Sequence, residues 1–240
     1  MIEVGSLTVR FGGVTPIDDM NLSMRVGVNG LIGPNGAGKT TFFNVLSGFV
    51  KPAIGGVTAH GDDLLAMAHF ARVRWGLRRT FQTEQAVAEL TVFENVLTVL
   101  ENSGSAKSAR RAEVVDAVEF VGLGPRLNRP VAALGAAERR LVEVARAVVG
   151  SPRLVLLDEP AAGLPDEETA ALGEVIKQIP DRTGALTILV DHDMELVSAT
   201  CEHVAVLDFG HVIASGPTRE VLDDPLVMAA YLGTQEVGVA

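Results

Sequence analysis

The eight residues 33–40, Gly-Pro-Asn-Gly-Ala-Gly-Lys-Thr, constrain this chain more than any other stretch. They match the pattern G-x-x-x-x-G-K-[ST] at every fixed position. Each position has a physical reason. Gly33, Gly36 and Gly38 let the backbone turn with its N–H groups inward and no Cβ in the way. Lys39 brings a point charge toward β- and γ-phosphates, and Thr40 a hydroxyl oxygen toward Mg2+. Pro34, Asn35, Ala37 and Thr41 complete the candidate cradle. Residues 41–46 read as a helix, whose positive N-terminal end would face the phosphates. Val28, Leu31 and Ile32 read as a buried strand ahead of the loop. The alternative, a glycine-rich turn that fits by chance, is weakened by this strand, loop and helix order.

A second feature supports it downstream. The apolar run Leu154-Val155-Leu156-Leu157 ends abruptly in Asp158-Glu159-Pro160. Adjacent carboxylates repel, so something positive must offset them, and a bound metal would do so. Open α/β sheets present ligands at the carboxyl ends of their strands. Thr40 and Asp158 are therefore expected on Mg2+, with Glu159 aimed at water. A surface acidic turn is the alternative, and four preceding apolar residues speak against it. Residues 185–190 read as another buried strand, ending in Asp191-His192-Asp193. His192 is either a solvated loop residue or a group that reaches a γ-phosphate. His60, His69, His203 and His211 have no ligand spacing, so no transition-metal site is expected.

In chain order, Val4, Leu7 and Val9 mark a first strand. Met20, Leu22, Met24 and Val26 alternate with polar residues, as in a half-exposed antiparallel strand. A strand is expected at 57–60, a helix at 66–76 and an extended piece at 77–81. Helical periodicity dominates 91–150, starting with the capping box Thr91-Val92-Phe93-Glu94. A polar break at 102–108 precedes a second helix at 110–121. A helix at 166–179, strands at 204–207 and 211–214, and two short helices at 217–232 follow. This predicts one α/β domain over 1–240: a core with a β subdomain at 1–82 and 151–240, and an inserted α-helical lobe at 83–150.

Composition narrows the class. At 240 residues the chain can bury a large core, and 48% hydrophobic content suits strands covered on both faces. That content also suits a docking surface for another subunit. With 20 basic against 30 acidic residues, a net charge of −10 and no long basic block, nucleic acid is not expected as a partner. The lone Cys201 excludes an internal disulfide and reads as a small core filler in a reducing compartment. No signal peptide and no membrane-spanning run is expected.

Nearly the whole chain resembles the ATP-binding subunits of ABC transporters. The resemblance assigns Gln82 to the glutamine loop, where it also reaches the metal, Gly135, Ala136, Ala137 and Glu138 to the signature motif, and His192 to the switch histidine. It assigns Phe11 to the aromatic that stacks on adenine. ATP and Mg2+ are the cofactors it implies, with Lys39, Glu159 and His192 as catalytic groups. Within the family, Arg79-Thr80-Phe81-Gln82, residues 90–97, residues 159–164 and the tail at 230–233 look most like subunits that power branched-chain amino-acid uptake. Closely similar ATPases move urea, or export lipopolysaccharide.

Departures from the family pattern shape the expected partners. The usual Leu-Ser-Gly-Gly-Gln is Leu134-Gly135-Ala136-Ala137-Glu138 here. Gly135 can still cap a helix but has no hydroxyl to donate, and Glu138 adds negative charge near a phosphate. Pro165 stands where the family closes a loop with Asp, and 26–30 looks about one residue short. A peripheral subunit on the cytoplasmic face of the membrane is expected. It would pair with a second ATPase subunit, a heterodimer in preference to a homodimer, on transmembrane permease subunits. A nucleotide-binding regulatory subunit with weak hydrolysis is the alternative.

Overall fold

A computed structural model describes residues 1–101, 103 and 106–232 of the chain. Gly233 and part of the polar break at 102–108 therefore lie outside the described residues.

The N-terminal strands β1 (Ile2–Phe11) and β2 (Val14–Met24) form an antiparallel hairpin. With β4 (Ile54–Ala59) and β5 (Asp62–Asp63) they make a four-stranded antiparallel sheet in the order β2-β1-β4-β5. The alternating pattern stops one step earlier than expected. Val26 lies past the end of β2 and is half exposed, because the chain turns there into β3 (Gly27–Ile32).

A six-stranded sheet forms the centre. Its members are β3, β6 (Leu77–Arg79), β7 (Leu154–Asp158), β8 (Leu186–Val190), β9 (His203–Asp208) and β10 (His211–Pro217), in the order β10-β9-β3-β8-β7-β6. All neighbours run parallel except β9 and β10, which form a hairpin. Every residue of β3, β7 and β8 is buried, which is why these strands are mostly apolar, with Asn29, Thr187 and the terminal Asp158 as buried polar exceptions. Side chains alternate between faces: Leu154 and Leu156 join one core, Val155 and Leu157 the other.

The first core holds the antiparallel sheet and α1 (Lys39–Ser47), through Phe42, Phe43, Val45 and Leu46. The second holds α3 (Val92–Glu101), α4 (Arg110–Phe120) and α5 (Ala136–Val148), which follow one another between β6 and β7. It also takes residues from α6 (Asp166–Lys177), α7 (Ile179–Thr183) and α8 (Met194–Thr200). The capping box forms: Thr91 N–H donates to Glu94 Oε2 at 2.8 Å, and Glu94 N–H to Thr91 Oγ1 at 3.2 Å. Two helices are shorter than expected. α2 (His69–Trp75) starts late because Asp63 Oδ1 accepts the N–H groups of Leu65 and Ala66 in a turn. The helix from Asp166 stops at Lys177, and α7 restarts at Ile179 with Pro180 in its first turn. The short helices α9 (Thr218–Leu222) and α10 (Pro225–Leu232) close the described chain.

Candidate functional site

The glycine loop joins the carboxyl end of β3 to α1, and its shape is enforced from outside. Gly33 has φ +146°, and a Cβ there would lie 2.0 Å from the Leu207 carbonyl oxygen of β9. Gly38 has φ +112°, and a Cβ would lie 2.3 Å from the Pro16 carbonyl oxygen of β2. The β9–β10 turn fastens the loop as well, since Gly210 N–H donates to Ala37 O at 3.0 Å. The helical ladder begins with Phe42 N–H donating to Gly38 O at 2.9 Å. The N–H groups of Lys39, Thr40 and Thr41 thus precede it and have no acceptor inside α1. Lys39 bends back over its own loop, donating from Nζ to Gly33 O at 2.5 Å and Pro34 O at 2.9 Å. Burial pushes the pKa of its ammonium down, while the nearby Glu159 and Asp158 act in the opposite direction.

Beside the loop lie the carboxyl ends of β7 and β8, paired through Asp158 and Val190. One of the two adjacent carboxylates, Asp158, has a counter-charge within the chain. Arg79 Nη2 lies 2.8 Å from Asp158 Oδ2, with both side chains under a tenth exposed. Asp158 N–H donates to Thr80 Oγ1 at 3.0 Å, so Arg79 at the end of β6 and Thr80 just after it both hold the end of β7. Glu159 adopts φ +48°, which swings its side chain out of the strand direction. Its N–H donates to Val190 O at 2.8 Å. Gln82 Nε2 donates to Glu159 Oε2 at 2.8 Å, and His192 Nε2 lies 2.8 Å from Glu159 Oε1. Three predicted site residues from three segments thus meet at one carboxylate.

Two supports were not singled out by the sequence. Asp191 is buried at the end of β8, and its Oδ1 accepts the N–H groups of His192 at 2.8 Å and Asp193 at 3.1 Å. Its Oδ2 accepts from Ala161 N–H at 3.3 Å, which ties the loop after Glu159 to the loop that carries His192. Burial raises its pKa, and the three N–H groups oppose that. Arg140 of α5 reaches Gln82 O at 3.4 Å and Ala162 O at 3.2 Å. The signal for Asp191 was present, an acidic residue directly after an apolar strand as at Asp158. Nothing local marked Arg140.

Other candidates sit apart from this carboxylate. Phe11 is at the tip of the β1–β2 hairpin and 52% exposed. Gly135 caps α5 with extended backbone, and Ala136 and Ala137 open the helix. Glu138 is already satisfied within the chain. Its Oε2 accepts from Gly135 N–H at 3.1 Å and its Oε1 from Arg126 Nε at 2.8 Å.

Among the described residues no group of three or more His, Cys, Asp or Glu could hold a metal ion. Thr40, Asp158 and Gln82 instead offer a few hard oxygen donors. That set fits Mg2+, which keeps waters and takes phosphate oxygens beside one or two carboxylates.

Residues 17–162 match the family described as ABC transporter. The chain belongs to that family, as an ATP-binding cassette. Residues 211–237 also match the family described as branched-chain amino acid ATP-binding cassette transporter. The cassette is 36% identical to the high-affinity branched-chain amino acid transport ATP-binding protein LivG of Salmonella typhimurium, over 97% of this chain and 98% of that one. It is 34% identical to the protein of the same description, BraF, from Pseudomonas aeruginosa, with the same coverage. Among solved structures, the ADP conformation of an ATP-binding cassette of an ABC transporter superposes with a TM-score of 0.87 at 26% identity, covering 97% and 98% of the two chains. The mixed α/β cassette with its antiparallel sheet is the expected fold.

Proposed function

We propose that this cassette hydrolyses ATP to power a membrane importer of branched-chain amino acids or a similar small solute. The convergence of Gln82 and His192 on Glu159, beside the Lys39 loop, carries the hydrolytic reading. The LivG and BraF relatives and the match over 211–237 support the solute class. A relative described as the lipopolysaccharide export protein LptB of Acidithiobacillus ferridurans, 32% identical over 98% of the chain, keeps an exporter as second reading.

In this reading the loop and the N-terminus of α1 bind the phosphates, with Lys39 leaving Gly33 O and Pro34 O for the β- and γ-phosphates. Phe11 stacks on adenine. Glu159 orients the attacking water and takes its proton. Because both carboxylate oxygens are held, its direction is set before the water arrives. His192 bridges Glu159 and the γ-phosphate. Thr40, Asp158 and Gln82 would hold Mg2+, which when bound would supply charge neutralisation at the phosphates. Residues 83–150 act as the helical lobe and present Gly135, Ala136, Ala137 and Glu138 to nucleotide on a second ATPase subunit.

No helix of the described residues is long and apolar enough to cross a membrane. The transport relatives support a cassette that works on permease subunits at the cytoplasmic face. The altered signature favours a heterodimer. Losing one hydrogen bond to a charged group is worth roughly 1.5–3 kcal/mol, about 10- to 150-fold. A homodimer would carry that loss twice, a heterodimer once. The test is to purify the native complex in detergent and measure its ATPase rate with leucine and the cognate solute-binding protein. Stimulation, with one copy of this chain per complex, supports the reading. A complex with two copies turning over quickly at both sites would sink the heterodimer, and no stimulation by any branched-chain amino acid would sink the solute.

A further inference from the structure

The ion pair at the end of β7 has a consequence for cation binding. Asp158 is buried, and Arg79 Nη2 occupies its Oδ2 at 2.8 Å. The same guanidinium is anchored on α1, donating from Nη1 to Asn44 Oδ1 at 2.8 Å and Ser47 Oγ at 3.3 Å. It also stacks near Phe81, 4.7 Å from the ring centroid, and Phe43, 5.4 Å away. Its Nε is buried without a hydrogen-bond partner. A buried carboxylate needs a compensating charge, and a guanidinium and a divalent cation compete for that role.

We propose that Arg79 is the resident counter-ion of Asp158, which holds the carboxylate in place and sets how tightly it takes a divalent cation. With Oδ2 held, Asp158 offers Oδ1 to the cation, and the fixed positive charge of Arg79 opposes the incoming one. Binding is kept weak until phosphate oxygens add their own charge. Arg79 is a positioning residue in this scheme, acting through Asp158. The inference rests on Asp158 as a cation ligand, as in the proposed function.

Mn2+ serves as the probe, with its affinity for the full chain and saturating ADP followed by electron paramagnetic resonance, and thermal melts run alongside. Arg79→Met and the more polar Arg79→Gln remove the charge, and Arg79→Lys keeps it. Both neutral variants should bind Mn2+ about tenfold more tightly, because the buried carboxylate has lost its competitor. Arg79→Lys should stay within about threefold of the parent. The added cation should also raise the melting temperature of the neutral variants more than that of the parent. If Arg79→Met does not fold, Arg79→Gln carries the comparison. Unchanged or weaker Mn2+ binding in the neutral variants, with lower melting temperatures alone, would overturn the proposal and leave a structural brace. Asp158→Asn separates the two readings. If it leaves Mn2+ affinity unchanged, Asp158 is no ligand. If it weakens binding while Arg79→Met does not strengthen it, only the counter-ion role fails.

Discussion

His192 Nε2 stands 2.8 Å from Glu159 Oε1, which links the loops that leave two neighbouring parallel strands. Neither residue reaches the other by local geometry. Glu159 must take a left-handed backbone at φ +48°, a conformation that costs a non-glycine residue about 1 kcal/mol or more. Such strain is expected where a side chain must be aimed.

Glu159→Gln should therefore bind ATP as the parent does, yet hydrolyse it about 10²–10⁴-fold more slowly, the usual worth of a general base. Single-turnover hydrolysis in the assembled complex checks it. An unchanged rate would remove Glu159 from the role.

Lys39→Ala removes the sole side-chain cation of residues 33–40. ATP affinity should fall at least about 10- to 150-fold, the worth of one charge-assisted contact. Titration with a fluorescent nucleotide decides the matter, and near-native affinity in the variant would move the site elsewhere.

Two glycines of the loop should respond differently to alanine. At Gly33 the new Cβ would sit 2.0 Å from Leu207 O, so backbone must move. A loss of about 3 kcal/mol or more is expected. At Gly36 nothing lies within 4 Å, and only φ +81° resists. There the cost should be about 1–2 kcal/mol. Urea denaturation of both variants tests the contrast, and equal costs would contradict the packing of β9 on the loop.

Acid should loosen the start of α5. The Arg126 hydrogen bond, and then the Gly135 N–H, hold the Glu138 carboxyl below its usual value of 4.5. Its folded pKa is thus below its unfolded one. The stabilisation is present above pH 4.5 and disappears as pH falls through the folded value. Because the pair is largely exposed and screened, Glu138→Gln should cost no more than about 1 kcal/mol at neutral pH. Stability of parent and variant compared across acid pH gives the answer. A difference that persists unchanged below both pKa values would refute the assignment.

Much of the site was legible because its chemistry is local. Eight consecutive residues encode the phosphate loop, since each glycine answers a backbone requirement within that loop. An uninterrupted apolar run marked β7, a mostly apolar one marked β8, and residues three apart marked the Thr91–Glu94 cap. Gln82 was reached only through family resemblance, and His192 by its place after an apolar strand, with its role left open between two readings. Nothing around them locally specifies that they meet Glu159.

What the sequence by itself determined is the inventory: a phosphate loop, acidic strand ends and an α/β order of elements. Tertiary structure alone decided the partners. Arg79 and Asp158 are 79 residues apart and become neighbours because β6 docks beside β7. Asp191 gathers N–H groups from two loops because β8 lies on the other side of β7. Strand order is set by how the whole set of apolar faces packs, and no short window of sequence carries it. Charge compensation follows strand order. For that reason the sequence pointed only to a metal as positive charge beside Asp158, and the Arg79 partner came from strand order.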